Sequence, residues 1–374
     1  MQGTRPKNYF ESYNIIRFIL ATLVVLMHCN QNLSQMGVNW CANAPILAQG
    51  NVAVEFFFIL SGFLLTYLYL EERAENGKVN IYFFFLRRVL KIFPLYYLSV
   101  FIGYVLLGVL YPFYYGKSYF SFPIFEGLLL HLCFLPHFVI AKWTENIGAL
   151  YSLWSIGVEE QFYAVFPFMM LFMTKTKHAM LSLCIILGIY TLFYIAVREQ
   201  IFFTASAVFV RFIYTLKFHF MLLGGVFAFL FYNNNKNIQI VVQNTLFRLF
   251  IFVLMAYILF SEKAFDEYNL LQGVVFATLL LIFAVRKPAI PRYTTPFYYF
   301  GKISFGIYIF HPYVAYFLRI GIEKIGFLHI LITKYPTLYY IFALSITIGI
   351  AHISYRYYES YFLSLKNKYF RAAA

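Results

Sequence analysis

Charge is scarce in this sequence. Only 12% of its 374 residues are charged, against roughly 25% in an ordinary soluble domain. No long polar interval interrupts the apolar runs between Ile15 and His352. A soluble domain therefore has no room, and the formal net charge of +14 has no basic, polar module to make it a nucleic-acid binder. A Gly-rich phosphate loop is also missing, so any phosphate must be held by side chains. The four cysteines, Cys29, Cys41, Cys133 and Cys184, lack metal-ligand spacing, and no metal is expected. Cys29 and Cys41 either bridge in an oxidising compartment or stay free as apolar thiols, the second being favoured. A small-residue cleavage site is absent after the first apolar run, which also contains Arg17. That run reads as a retained first helix rather than a signal peptide.

Apolar residues fill the space that charge leaves, at 62% of the chain. Runs near 13–30, 52–70, 92–111, 149–173, 179–197, 211–232, 246–261, 270–286, 302–320 and 337–355 each approach the ~20 residues a helix needs to cross a bilayer. The fold expected is all-α, a polytopic membrane helix bundle of about ten transmembrane helices. Residues 1–371 form one integral-membrane domain in this reading, and Ala372-Ala373-Ala374 an appended tail. The 47 Phe and 34 Tyr could suggest sugar-stacking platforms. The chain is also rich in Ile, Asn and Lys, so a biased codon pool explains them more simply.

Residues 124–140 are ambiguous: apolar, yet carrying Glu126, His131, Pro136 and His137. If they do not span, Lys175, Lys177, Lys236, Arg286, Lys287, Arg292, Lys366, Lys368 and Arg371 share a side with Arg87, Arg88 and Lys91. The other side then holds the uncharged 31–51 loop and the acidic Glu262, Asp266 and Glu267. The positive-inside rule selects that arrangement, with both termini cytoplasmic and 113–148 an external, partly buried or re-entrant segment.

Several apolar segments carry ionisable groups, each costing roughly 2.5 kcal/mol or more at mid-membrane, so they belong on a watery interior face. Arg17 and His28 are eleven residues apart, near three helical turns and roughly 16 Å along one face. The plain alternative is a snorkelling Arg and a core His bonded to a carbonyl. Glu55 opens the second span where His28 closes the first, so antiparallel neighbours put them at similar depth. Ser61-Gly62 reads as a close-packing point rather than a nucleophile. Arg87, Arg88 and Lys91 stand at the mouth of the third span, as membrane anchors or as donors to cofactor phosphates. In the fourth span Ser152, Ser155, Glu159 and Tyr163 follow spacings of three, four and four on one face, with Trp154 a candidate interfacial anchor.

These motifs together resemble the acyltransferase-3 family of integral-membrane acyltransferases. They are Arg17 and His28 with ten residues between; VEFFFILSGF over 54–63; RRVLKIFP over 87–94; SLWSIGVEEQFY over 152–163; GKISFGIYIFHP over 301–312; and Tyr358-Glu359. They occur in the family's order over about residues 10–362. Lys91 stands where the cluster often has a third Arg, and Phe305 where Tyr is common. The resemblance implies an O-acyltransferase, with acetyl-CoA as acyl donor and a sugar or glycan hydroxyl at the external side as acceptor. It implies a place in the bacterial inner (cytoplasmic) membrane. Arg87, Arg88, Lys91 and Arg17 would hold the CoA phosphates. His28 would act as general base or carry the acyl group, with Glu55 or Glu159 orienting it. Ser152, Trp154, Tyr163, Tyr308 and His311 would bind substrate. Direct transfer and an acyl-enzyme both fit, and no nucleic acid is implied. The reading from another class is a transporter or flippase of a lipid-linked glycan or small solute. A non-catalytic scaffold leaves the interior His and Glu unexplained.

Overall fold

The computed structural model describes residues 12–38, 44–143, 147–173, 178–201, 205–261, 270–286 and 296–365. Among them every regular element is helical. In chain order these are α1 (Ser12–Gln35), α2 (Gly50–Asn76), α3 (Ile81–Gly103), α4 (Tyr111–Tyr115), α5 (Ile124–Leu132) and α6 (Pro136–Trp143). Next come α7 (Leu153–Met173), α8 (Ala179–Arg198), α9 (Ala207–Thr215), α10 (Phe218–Tyr232), α11 (Lys236–Gln243) and α12 (Thr245–Phe260). The last are α13 (Leu270–Arg286), α14 (Pro296–Lys302), α15 (Ser304–Lys324), α16 (Gly326–Lys334) and α17 (Thr337–Ser354).

Eight helical stretches are long and apolar enough to cross a membrane, and α11 with α12, bent by 69°, supplies a ninth. The remaining expected span coincides with α13, only 17 residues long. An integral-membrane bundle follows, with the count near the ten expected. Residues 124–140 do not form one span. They break into helices of nine and eight residues around Phe134, whose φ is 57°, and each covers only about 13 Å at 1.5 Å per residue. The loop charges at Lys175, Lys177, Glu262, Asp266, Glu267, Lys287, Arg292, Lys366, Lys368 and Arg371 lie outside the described residues, as does Cys41. Cys29 is a free, buried thiol.

Helix α2 is the central post. It crosses α10 so closely that a Cβ on Gly62 would stand 1.9 Å from the Met221 carbonyl oxygen, and one on Gly224 2.1 Å from that of Ile59. Small residues on both helices are what permit this approach. Helix α1 packs against α2 and also against α15 and α17, around Ile307 and Tyr339, which are fully buried. Helices α1, α2, α3, α7 and α15 thus surround one interior space.

Candidate active site

That space is a cavity of about 300 Å³ walled by α1, α2, α3, α7, α14 and α15. Its cationic rim comprises Arg87, Arg88, Lys91 and Lys302, of which Lys91 and Lys302 are exposed. Its inner end is formed by buried residues, among them Ser155 and Tyr308. Pro94 lies within α3, and Arg87, Arg88 and Lys91 fall on the helix before it, three and four residues apart on the face toward the cavity.

The rim is structured. Arg87 Nη2 donates to Glu72 Oε2 at 2.5 Å. Arg88 Nη1 donates to the Phe84 carbonyl at 2.7 Å, and its guanidinium stacks 3.6 Å from the Phe84 ring centroid. Deeper in, Glu159 accepts from Ser61 Oγ and from the Tyr163 hydroxyl, both at 3.0 Å. Arg17 and Lys91 are within electrostatic range of this carboxylate. Arg17 also donates to Asn14 Oδ1 at 3.4 Å. The Tyr308 hydroxyl donates to the Ser152 carbonyl at 3.1 Å and lies 2.7 Å from Ser155 Oγ. The polar stripe of α7 therefore faces the interior, as its spacing predicts.

His28 lies beyond this inner end. Its Nδ1 is 3.1 Å from Gln31 Oε1, and its ring centroid is 5.1 Å from that of His311. His311 is buried, and its Nδ1 donates to the Tyr308 carbonyl at 2.7 Å. One residue, Tyr308, thus contacts both the cavity and the histidine pair. The bonds of Glu159 go to Ser61 and Tyr163, and among the described residues those of His28 go to Gln31 and its ring to His311. The expected contact of the imidazole with Glu159 is not formed. Glu55 accepts from Lys217 Nζ at 2.7 Å and from Gln272 Nε2 at 2.6 Å, joining α2, the α9–α10 junction and α13.

Arg17, Arg87, Arg88, Lys91, Glu159, Tyr163 and Tyr308 thus share one cavity. His28, His311 and Ser152 gather at its far side. Trp154 is not part of the cavity wall and packs edge-on to Phe58, 6.0 Å between centroids. Ser61 was read as a packing residue, yet it faces Glu159. Only its seryl hydroxyl on an apolar helix could have signalled that. Lys302 stands within a quoted motif and joins the rim. Among the described residues no cluster of His, Cys, Asp and Glu could hold a metal ion.

The bundle thus encloses a cavity with a cationic rim and a carboxylate, with a histidine pair beyond its inner end. The profile of the acyltransferase-3 family, described as an acyltransferase domain, matches residues 10–356, and the chain belongs to that family. The O-acetyltransferase OatA of Staphylococcus aureus is 24% identical over 371 residues, covering 89% of this chain and 55% of that protein. The peptidoglycan O-acetyltransferase OatA of Listeria monocytogenes is 25% identical over 196 residues, covering 49% of this chain and 28% of that protein. The chain thus matches about half the length of the first of these relatives and less of the second. No solved structure matches it.

Proposed function

We propose that this protein is a membrane O-acetyltransferase that moves an acetyl group from cytoplasmic acetyl-CoA to a hydroxyl of a cell-surface or exported glycan. The observation that carries the reading is a single cavity with cations at its open end and Tyr308 at its closed end, beside the histidine pair. Arg87, Arg88 and Lys91 meet the donor's phosphates, with Lys302 beside them. Guanidinium groups suit phosphate oxygens because two N–H donors match two acceptors. The cavity's ~300 Å³ is at the low end of small-molecule sites. It suits a narrow pantetheine arm whose bulky nucleotide stays at the rim.

His28 then acts on the acceptor hydroxyl. Its proton passes to the imidazole as the oxygen attacks the thioester carbonyl; the C–S bond breaks, and the leaving thiolate takes the proton. The rim faces the cytoplasm, as do both termini, and the protein resides in a bacterial cytoplasmic membrane. The relatives' names support a cell-wall polysaccharide as the acceptor class. The test is incubation of purified protein with [14C]acetyl-CoA and the host's surface-glycan fraction. Label in glycan, lost with His28→Ala, is expected. Glycan or solute movement across vesicles without label transfer would instead favour a carrier.

A further inference from the structure

Among the described residues, the imidazole read above as the base has no carboxylate of the kind that a His–Asp pairing would supply. Its hydrogen bond goes to Gln31 and its ring lies beside that of His311. Gln31 lies three residues along α1, and in the amide orientation of this structure its Oε1 faces the ring at 3.1 Å, an arrangement that puts the proton on His28 Nδ1. His28 Nε2 is then the basic nitrogen. The same logic fixes His311. The Tyr308 carbonyl can only accept, so His311 Nδ1 carries its proton at 2.7 Å, and Nε2 holds a lone pair. That Nε2 is fully buried and, among the described residues, has no hydrogen-bond partner. A buried acceptor left unmade costs about 1–3 kcal/mol, so this atom invites a functional explanation. Its ring is 5.1 Å from that of His28, tilted by 36°.

We propose that Gln31 and His311 are the positioning residues of His28, in place of a carboxylate. Gln31 holds the tautomer that exposes Nε2. His311 presents the negative end of a fixed dipole to the ring that becomes an imidazolium when the acceptor proton arrives. Tyr308 couples this pair to the donor cavity: its carbonyl fixes His311 while its hydroxyl closes the inner end on Ser152 and Ser155. A neutral pair avoids burying a second full charge in the bundle, which is costly without close compensation. The inference rests on the reading of His28 as the base.

Two measurements test it on the full chain in nanodiscs. The first is 15N NMR of histidine-labelled protein at neutral pH, with His28 assigned from its loss in His28→Gln. The Nδ1–H tautomer is expected, and a mixture of tautomers in Gln31→Ala. An Nε2–H tautomer in the wild type overturns the proposal. The second compares His311→Asn with His311→Gln. Asn keeps a donor near the Tyr308 carbonyl but lacks the distal atom, whereas the Gln amide reaches the Nε2 position. His311→Asn should lower kcat by about 10- to 100-fold with the acetyl-CoA KM unchanged within about twofold, and His311→Gln should recover most of that loss. Wild-type kcat in His311→Asn, or an effect on KM alone, overturns it. If the wild type transfers no acyl group, the functional reading fails, and the tautomer measurement still decides the positioning.

Discussion

Lys217 Nζ donates to Glu55 Oε1 at 2.7 Å across 162 residues of sequence, and both side chains are almost wholly buried. The pair ties the break between α9 and α10 to the entry of α2, and Gln272 closes it from α13. These bonds account for a buried carboxylate at the second span's opening.

Removing one partner leaves a buried charge alone, which typically costs about 3–5 kcal/mol, whereas neutralising both costs far less. Lys217→Met should therefore lower the apparent melting temperature and monodisperse yield sharply. Lys217→Met combined with Glu55→Gln should recover much of the loss. Equal stability of the single and double variants, by fluorescence-detected size exclusion after a thermal ramp, would refute the pairing energetics.

At the cavity rim, Glu72 holds Arg87, one of the residues proposed to meet the donor's phosphates. Glu72→Gln should weaken its hold on the guanidinium and tighten acetyl-CoA binding. Arg87→Ala with Arg88→Ala should weaken it by about tenfold or more, since a hydrogen bond to a charged group contributes about 1.5–3 kcal/mol. Raised salt should weaken wild-type binding as well. Calorimetric titration reads all three, and affinity indifferent to salt and to both Arg replacements would return the cluster to membrane anchoring.

The helices were legible because hydropathy and period are local. The same 3.6-residue period placed Ser155, Glu159 and Tyr163 on the cavity face before any partner was known. What failed to show was azimuth. Depth alone pairs Glu55 with His28, but depth does not say which way a helix faces: Glu55 meets the α9–α10 junction and α13, and His28 meets α15. Ser61 and Gly62 were read as one packing unit. Neighbours on a helix point ~100° apart, so Gly62 meets Met221 while Ser61 meets Glu159. Lys217 gave no signal, because it sits at a helix break whose sequence, Thr215-Leu216-Lys217, carries neither Gly nor Pro.

The hairpin of α5 and α6 should make stability sensitive to acid. His131 and His137 lie outside the spanning helices, and burial lowers each from the usual 6.5 to about 4. Both are therefore neutral in the fold and protonated in the unfolded chain between pH 6.5 and about 4. The unfolded state binds more protons in that window, so stability falls as pH drops through it, by up to about 1.4 kcal/mol per pH unit for each histidine. Melting at pH 7 and pH 5 should differ less in His137→Gln than in the wild type. An unchanged difference would mean that His137 is not buried in its neutral form.

Orientation can be read with single cysteines in a background lacking all four native ones, Cys29, Cys41, Cys133 and Cys184. A membrane-impermeant maleimide applied to intact cells should label Lys117→Cys, before the α5–α6 hairpin, and should miss Asn235→Cys at the start of α11. Labelling at Asn235 from outside would reverse the bundle and put the cationic rim on the wrong face for acetyl-CoA.

Glu159 provides the sharpest test of what the cavity's carboxylate does. It accepts from Ser61 and Tyr163 and lies in the field of Arg17 and Lys91. If its charge holds those cations in place for the donor, Glu159→Gln should weaken acetyl-CoA binding and lower turnover together. The amide keeps one acceptor oxygen but turns two N–H donors toward hydroxyls that were donating. Ser61→Ala and Tyr163→Phe each remove one donor and leave the charge, so each should reduce turnover several-fold at most. His28→Ala should behave differently from all three, abolishing transfer while acetyl-CoA still binds, because the imidazole stands beyond the donor cavity. Binding isotherms beside single-turnover rates separate these patterns. Loss of donor binding in His28→Ala would place His28 with the donor rather than with the acceptor hydroxyl and end its assignment as the base.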